Sequence, residues 1–176
     1  TILISIIHAN NEIGTVNPLS EISHIIKEWR QERGSEYPFF HTDACQSAGS
    51  LNIQPHTLGV DLLTFNGSKI YGPKGAGVLY KKNGVQIDPM LVGGSQENGW
   101  RAGTENIALA VGLALALKIA NREKKKENLR LTQLSDYFIK KFLSEIPDSK
   151  LNGDAKKRLP NNINLSFKGI DGEMLV

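Results

Sequence analysis

Apolar positions along the chain alternate between short runs of strand length and stretches at helical spacing, and polar clusters mark each change. Thr1 to His8 is a β-branched run that ends in the turn-rich cluster Asn10, Asn11, Glu12 and Gly14. Pro18 suits the first turn of a helix whose apolar positions are Ile22, Ile25, Ile26 and Trp29, and Gly34 ends it. A second strand is predicted over Pro38 to Thr42, followed by the polar Asp43 and Gln46. A third, Val60 to Phe65, stops at Asn66, Gly67, Ser68 and Lys69, and Gly75 to Tyr80 and Val85 to Met90 read as further strands.

Strands that alternate with helices and hand over to polar loops predict an α/β fold with a mainly parallel sheet, helices on both faces, and ligands at the carboxyl ends of the strands. The three polar clusters then converge at one edge. Thr104 to Ile146 is helical in composition, with Leu109, Leu113, Leu117, Leu131, Leu134 and Phe138 as apolar faces, and it reads as two helices around a charged middle. The pattern changes after Pro147: Leu151, Asn152 and Gly153 turn, and Asn162 to Phe167 alternates like a strand. Residues 1–146 are therefore expected to form one domain and 147–176 the start of a second.

Composition narrows the picture. A chain of 176 residues with 40% hydrophobic and 22% charged positions can bury one sizeable core, which excludes a disordered or fibrous protein. The net charge of +3 is too small for a nucleic-acid partner, and the basic run Arg122 to Lys126 reads as a solvated helix face. The apolar stretch Ile107 to Ala120 is shorter than a bilayer span, so it reads as a buried helix and no membrane association is expected. The single cysteine, Cys45, cannot close a disulfide within the chain, and a reducing, cytoplasmic setting follows. The chain opens in a strand-like run without an initiator Met, so a preceding segment is expected to be missing.

Two residues carry candidate chemistry. Lys69 stands at a strand end beside the Gly-rich turn Asn66-Gly-Ser-Lys-Ile-Tyr-Gly-Pro-Lys-Gly-Ala-Gly, which can hold a nucleophilic amine rigidly. An arbitrary lysine is usually a surface charge, and the glycines alone do not decide. Asp43 follows Phe39, Phe40 and His41 at another strand end, where a carboxylate suits the ring nitrogen of pyridoxal phosphate. A helix N-cap is the other reading of Asp43. Gln46 stands three residues on, within reach of that ring's phenolic oxygen.

Four segments in order, His-Ala-Asn-Asn-Glu-Ile-Gly-Thr, His-Thr-Asp-Ala-Cys-Gln, Ser-Lys-Ile-Tyr-Gly-Pro-Lys-Gly and Arg-Ala-Gly-Thr-Glu-Asn, resemble the cysteine desulfurase branch of the class V aminotransferases. The resemblance covers nearly the whole chain. It implies the large domain of a fold-type I pyridoxal 5'-phosphate transferase and the beginning of a small α+β domain. Lys69 looks like the lysine that holds the cofactor as a Schiff base, Asp43 like the partner of the pyridine nitrogen, and Gln46 like the residue bonding the ring oxygen. Asn10 resembles the asparagine near the ring and the substrate carboxylate. Thr104 resembles the threonine that reaches the cofactor phosphate of the neighbouring subunit, which implies a homodimer.

Two positions depart from the family's commonest pattern. Ser68 stands where a histidine usually precedes the lysine, and Asn66 where a serine or threonine is usual. Asn66 can still donate to a phosphate through its amide, but Ser68 cannot shuttle protons as imidazole does. The family's sulfur-accepting cysteine lies in the C-terminal part, and Cys45 is not its counterpart; it reads as a small buried residue between two cofactor contacts. The resemblance also places a phosphate-binding turn and a ring-stacking histidine in an N-terminal segment, so His8 and His41 read as structural. The activity implied is conversion of L-cysteine to L-alanine, with the sulfur kept on the enzyme for iron–sulfur cluster or thio-cofactor assembly by acceptor or scaffold proteins. No metal is called for. The chain alone is expected to be inactive, and selenocysteine lyase, another class V aminotransferase or a non-catalytic remnant stand as alternatives.

Overall fold

The computed structural model describes residues 1–175. Its main sheet has four strands in sequential order: β1 (Leu3–Ile7), β2 (Phe39–Asp43), β3 (Leu62–Asn66) and β4 (Gly77–Lys81). The first three are parallel, and β4 returns antiparallel along β3. The fold is thus mixed α/β with a mainly parallel sheet, as the alternating pattern predicted. A separate antiparallel pair, β5 (Ser149–Leu151) and β6 (Leu165–Phe167), follows the last helix.

Helix α1 (Leu19–Arg33) makes the crossover from β1 to β2, and the single turn α2 (Pro55–Leu58) precedes β3. Strand period explains the core: Phe40, Thr42, Leu63 and Phe65 alternate onto one face and are buried. Leu19 and Ile26 of α1, Leu58 of α2, and Leu113 and Ala116 of the last helix pack in the same cluster. The buried face of α1 differs from the predicted one. Ile25 and Trp29 are exposed, while Leu19, Ser23 and Ile26 face inward. The reason is Ser23, which lies so close to Gly59 that a Cβ there would meet its Oγ at 2.1 Å. A small side chain brings α1 down onto the α2–β3 connection, and Ser23 Oγ donates to Gly59 O at 2.8 Å.

The segment Thr104 to Ile146 forms one helix, α3 (Ile107–Glu145), rather than two. No proline interrupts it, and its charged middle consists of strong helix formers, so propensity carries the helix across. That middle is also anchored: Lys124 Nζ donates to Leu51 O and Asn128 Nδ2 to Ser50 O. Lys124 is therefore half-buried, although the rest of the basic run is exposed as expected. Gly112 lies where α3 crosses Pro73, whose Cγ would sit 3.0 Å from an added Cβ. The apolar start of α3 is not the buried helix that its composition predicts. Leu113 and Ala116 are buried, but Ile107, Val111, Leu115 and Ile119 are exposed in a row at four-residue spacing.

Val85 to Met90 is not a strand. Val85 alone in that run is buried, and Pro89 removes a donor that a ladder would need. No described helix is long and apolar enough to cross a membrane.

Candidate functional site

Parallel pairing of β1, β2 and β3 places their carboxyl ends at one edge, where Asp43 and Asn66 end β2 and β3 and Asn10, Gln46, Ser68 and Lys69 follow the strands. Asp43 is the last residue of β2, paired with Ile7 of β1 and Thr64 of β3. Its Oδ1 accepts from the Cys45 N–H at 2.8 Å, so it also caps the following turn. Gln46 is half-buried in that turn. Asn10 Oδ1 accepts from the N–H groups of Glu12 and Ile13, each at 2.9 Å, which folds the β1 loop back on itself.

Lys69 is the middle residue of a 3-10 turn, Ser68–Ile70, directly beyond β3. Ile70 anchors this turn in the core, and Gly72 N–H closes it on Gly67 O at 2.8 Å. A Cβ on Gly67 would come to 3.0 Å from Pro73 O, and one on Gly72 to 3.0 Å from Gly67 O, so the backbone folds tightly on itself there. Tyr71 is held at φ 60, a costly conformation for a large side chain. The ion pairs among the described residues involve neither Lys69 nor Asp43.

Asn66 ties the two loops together. Its Oδ1 accepts from Ser68 Oγ at 2.9 Å and from the Lys69 N–H at 3.2 Å, while its Nδ2 donates to Cys45 Sγ at 3.4 Å. Burial pushes the Cys45 thiol up to about 11, and the Asp43 carboxylate pushes the same way, while the amine of Lys69 pulls it back. Cys45 is thus the meeting point of the two loops, its N–H bound by Asp43 and its sulfur by Asn66. Cys45 is half-buried rather than fully buried as its setting had predicted. His41 Nδ1 lies 2.7 Å from Ser5 Oγ and its Nε2 3.2 Å from Thr64 Oγ1, so the ring links β1, β2 and β3. His8 is buried at the end of β1.

Thr104, unlike the other site residues, follows no strand of the main sheet and lies just before α3. It is exposed, two residues before Asn106, whose Oδ1 caps α3 by accepting from Leu109 N–H. Residues of the 152–164 segment, which the sequence assigned to a second domain, also reach the β1 loop: Asn162 Nδ2 donates to Glu12 O at 3.0 Å. No motif or period in that segment signals the contact, because its partners are backbone carbonyls about 150 positions away in the chain.

This sheet, with a lysine on a tight turn at the carboxyl edge, is fold-type I architecture, and the chain belongs to the family described as Aminotransferase class-V, which matches residues 1–176. Within that family the chain is similar to proteins named cysteine desulfurase. It is 50% identical to Cysteine desulfurase IscS of Dictyoglomus turgidum, over all of this chain and 43% of that protein. It is 47% identical to Cysteine desulfurase IscS of Methanosarcina thermophila, again over the whole chain and 42% of that protein. Among solved structures, a NifS-like protein superposes with a TM-score of 0.90 at 34% identity, covering 99% of this chain and 46% of the other. DndA from Streptomyces lividans superposes at 0.82 with 31% identity, covering 99% and 48%. The chain thus spans less than half the length of the relatives it matches.

Proposed function

We propose that this chain is the cofactor-holding part of a pyridoxal 5'-phosphate-dependent cysteine desulfurase, which takes sulfur from L-cysteine and leaves L-alanine. The observation that carries the reading is Lys69 on its tight turn beyond β3, one strand away from Asp43 at the end of β2, with Asn66 tying the Lys69 turn to Cys45, whose N–H Asp43 binds. The donor set fits the cofactor: an amine without a carboxylate bound to it for the aldehyde, and a carboxylate for the pyridine nitrogen.

When bound, the cofactor supplies an electron-withdrawing ring that weakens the carbon–sulfur bond of cysteine. Lys69 would hold the cofactor covalently and move protons at the substrate carbon. Asp43 would keep the pyridine nitrogen protonated, and Gln46 would donate to the ring oxygen. Asn10 would face the substrate carboxylate, Asn66 and Ser68 would present the Lys69 turn, and the second amide hydrogen of Asn66 would serve as a donor towards the phosphate. Cys45, with its thiol held neutral, is unsuited to accept sulfur, since the thiolate is the nucleophile. The acceptor is then a thiolate elsewhere in the whole protein, which retains the sulfur as a persulfide.

In this reading the protein acts in the cytoplasm as a homodimer, with the exposed Thr104 reaching the partner's cofactor phosphate. Residues 147–176 begin the small domain, and the sulfur serves iron–sulfur cluster or thio-cofactor assembly. Borohydride reduction of the purified protein tests the central assignment. The phosphopyridoxyl mass is expected on the peptide containing Lys69, retained in Lys74→Ala and lost in Lys69→Ala. A reduced cofactor adduct surviving in Lys69→Ala overturns it.

A further inference from the structure

The β1 loop is held from behind along its whole length. Asn10 gathers the N–H groups on the near side: those of Glu12 and Ile13 to its Oδ1, and that of Gly14 to its carbonyl at 3.1 Å. The four consecutive carbonyls from Asn11 to Gly14 are all taken by one remote segment. Asn162 Nδ2 donates to Asn11 O at 3.3 Å and to Glu12 O at 3.0 Å, and Asn164 Nδ2 to Glu12 O at 3.2 Å. An Arg158 guanidinium nitrogen donates to Ile13 O at 3.5 Å and to Asn162 O at 2.9 Å, and Leu159 N–H donates to Gly14 O at 2.9 Å.

Two further observations mark this contact as more than a surface patch. Leu159 is buried at the centre of the segment, so the donors come from an anchored backbone. Gly14, at φ 73, faces Asn162 so closely that an added Cβ would lie 2.7 Å from its Oδ1. The junction also tolerates a cost, since Arg158 Nε and Asn162 Oδ1 are buried without a partner among the described residues. Asn11 and Glu12 are themselves exposed, and a turn of this kind without outside support would be free to move.

We propose that Arg158, Asn162 and Asn164 are positioning residues for the β1 loop: they fix the backbone of 11–14 and thereby hold the Asn10 side chain at the same edge as Asp43 and Lys69. Any consequence for substrate binding rests on the function proposed above. Asn162→Asp keeps the size of the side chain but sets an oxygen against Asn11 O and Glu12 O in place of the amide donor. In the purified protein, hydrogen exchange followed by mass spectrometry should rise about tenfold in the peptide covering 10–16, while the peptide covering the Lys69 turn keeps its rate. In the full-length protein, KM for cysteine should rise with kcat nearly unchanged, and adding Asn162→Asp to Asn10→Ala should raise it no further than Asn10→Ala alone.

Unchanged exchange at 10–16 in folded Asn162→Asp overturns the proposal, as does a rise of equal size across the whole chain. If Asn162→Asp does not fold, Asn164→Ala, which removes one donor to Glu12 O, is read in the same way. A rise confined to 10–16 together with an Asn10→Ala variant of unaltered KM upholds the positioning and refutes Asn10 as a substrate contact.

Discussion

Asn66 divides its carboxamide between two loops, with the amide on the Cys45 sulfur and the oxygen on Ser68 and the Lys69 N–H. In the sequence, Asn66 and Ser68 read as cofactor contacts that depart from a motif. In the structure they also build the turn that presents the lysine. The Cys45 thiol gives a direct measure of this environment. With its pKa pushed up to about 11, it should alkylate with iodoacetamide at neutral pH about a hundredfold more slowly than free cysteine, on the order of its lost thiolate fraction. Asn66→Ala, which removes the donor to the sulfur, should slow it further. Alkylation as fast as free cysteine would show that the sulfur lies in the open. The strand-end positions of Lys69 and Asp43 were legible from the apolar runs that precede them. Arg158, Asn162 and Asn164 were not, since a side chain that binds distant carbonyls leaves no period or spacing to read.

At the scale of elements, one buried carboxylate joins a helix to two strands. Asp61, just before β3, accepts from Arg30 of α1 at 2.5 Å, from the Phe40 N–H of β2 at 2.9 Å and from Lys82 Nζ at 3.3 Å. Burial alone would raise its pKa, but the bonds from Arg30 and Phe40 and the charges of Arg30 and Lys82 outweigh that and hold it below the usual value. Arg30→Ala leaves this carboxylate buried with only a half-exposed lysine for charge, and should destabilise by about 3 kcal/mol in urea unfolding. A loss under about 0.5 kcal/mol would mean that Lys82 and water compensate fully. The strands β1 to β4 and helix α1 were legible from period and turn residues. Val85 to Met90 has a strand's pattern but no partner, and pairing is not a local property. The outward row of α3, Ile107 to Ile119, was read as core because apolar content says that a face is buried without saying by what.

Over the whole molecule, acid sensitivity should come from two imidazoles. Burial lowers the pKa of His8, and burial also lowers that of His41, against the opposing pull of the Asp43 carboxylate. The unfolded chain therefore takes up protons first as pH falls through the ordinary histidine value of about 6.5, so stability is full above that pH and declines below it. The urea midpoint should fall between about pH 7 and 5, and His8→Asn with His41→Gln should flatten the decline. A midpoint that stays constant in the unaltered protein would show that both rings titrate alike in the two states. Assembly has its own test in the full-length protein: Lys69→Ala subunits mixed with Thr104→Ala subunits should regain activity, because each heterodimer keeps one site with neither defect. No recovery after proven subunit exchange would assign Thr104 to its own chain's site or to none. The sequential strand order carries a kinetic consequence as well. Asn10, Asp43 and Lys69 are joined by pairings between neighbouring strands, whereas the bonds from Asp154, Asn162 and Asn164 to the β1 loop close separations of 139 to 152 residues. Short loops close sooner than long ones, so a refolding chain gathers its reactive groups first and locks the loop beside them last.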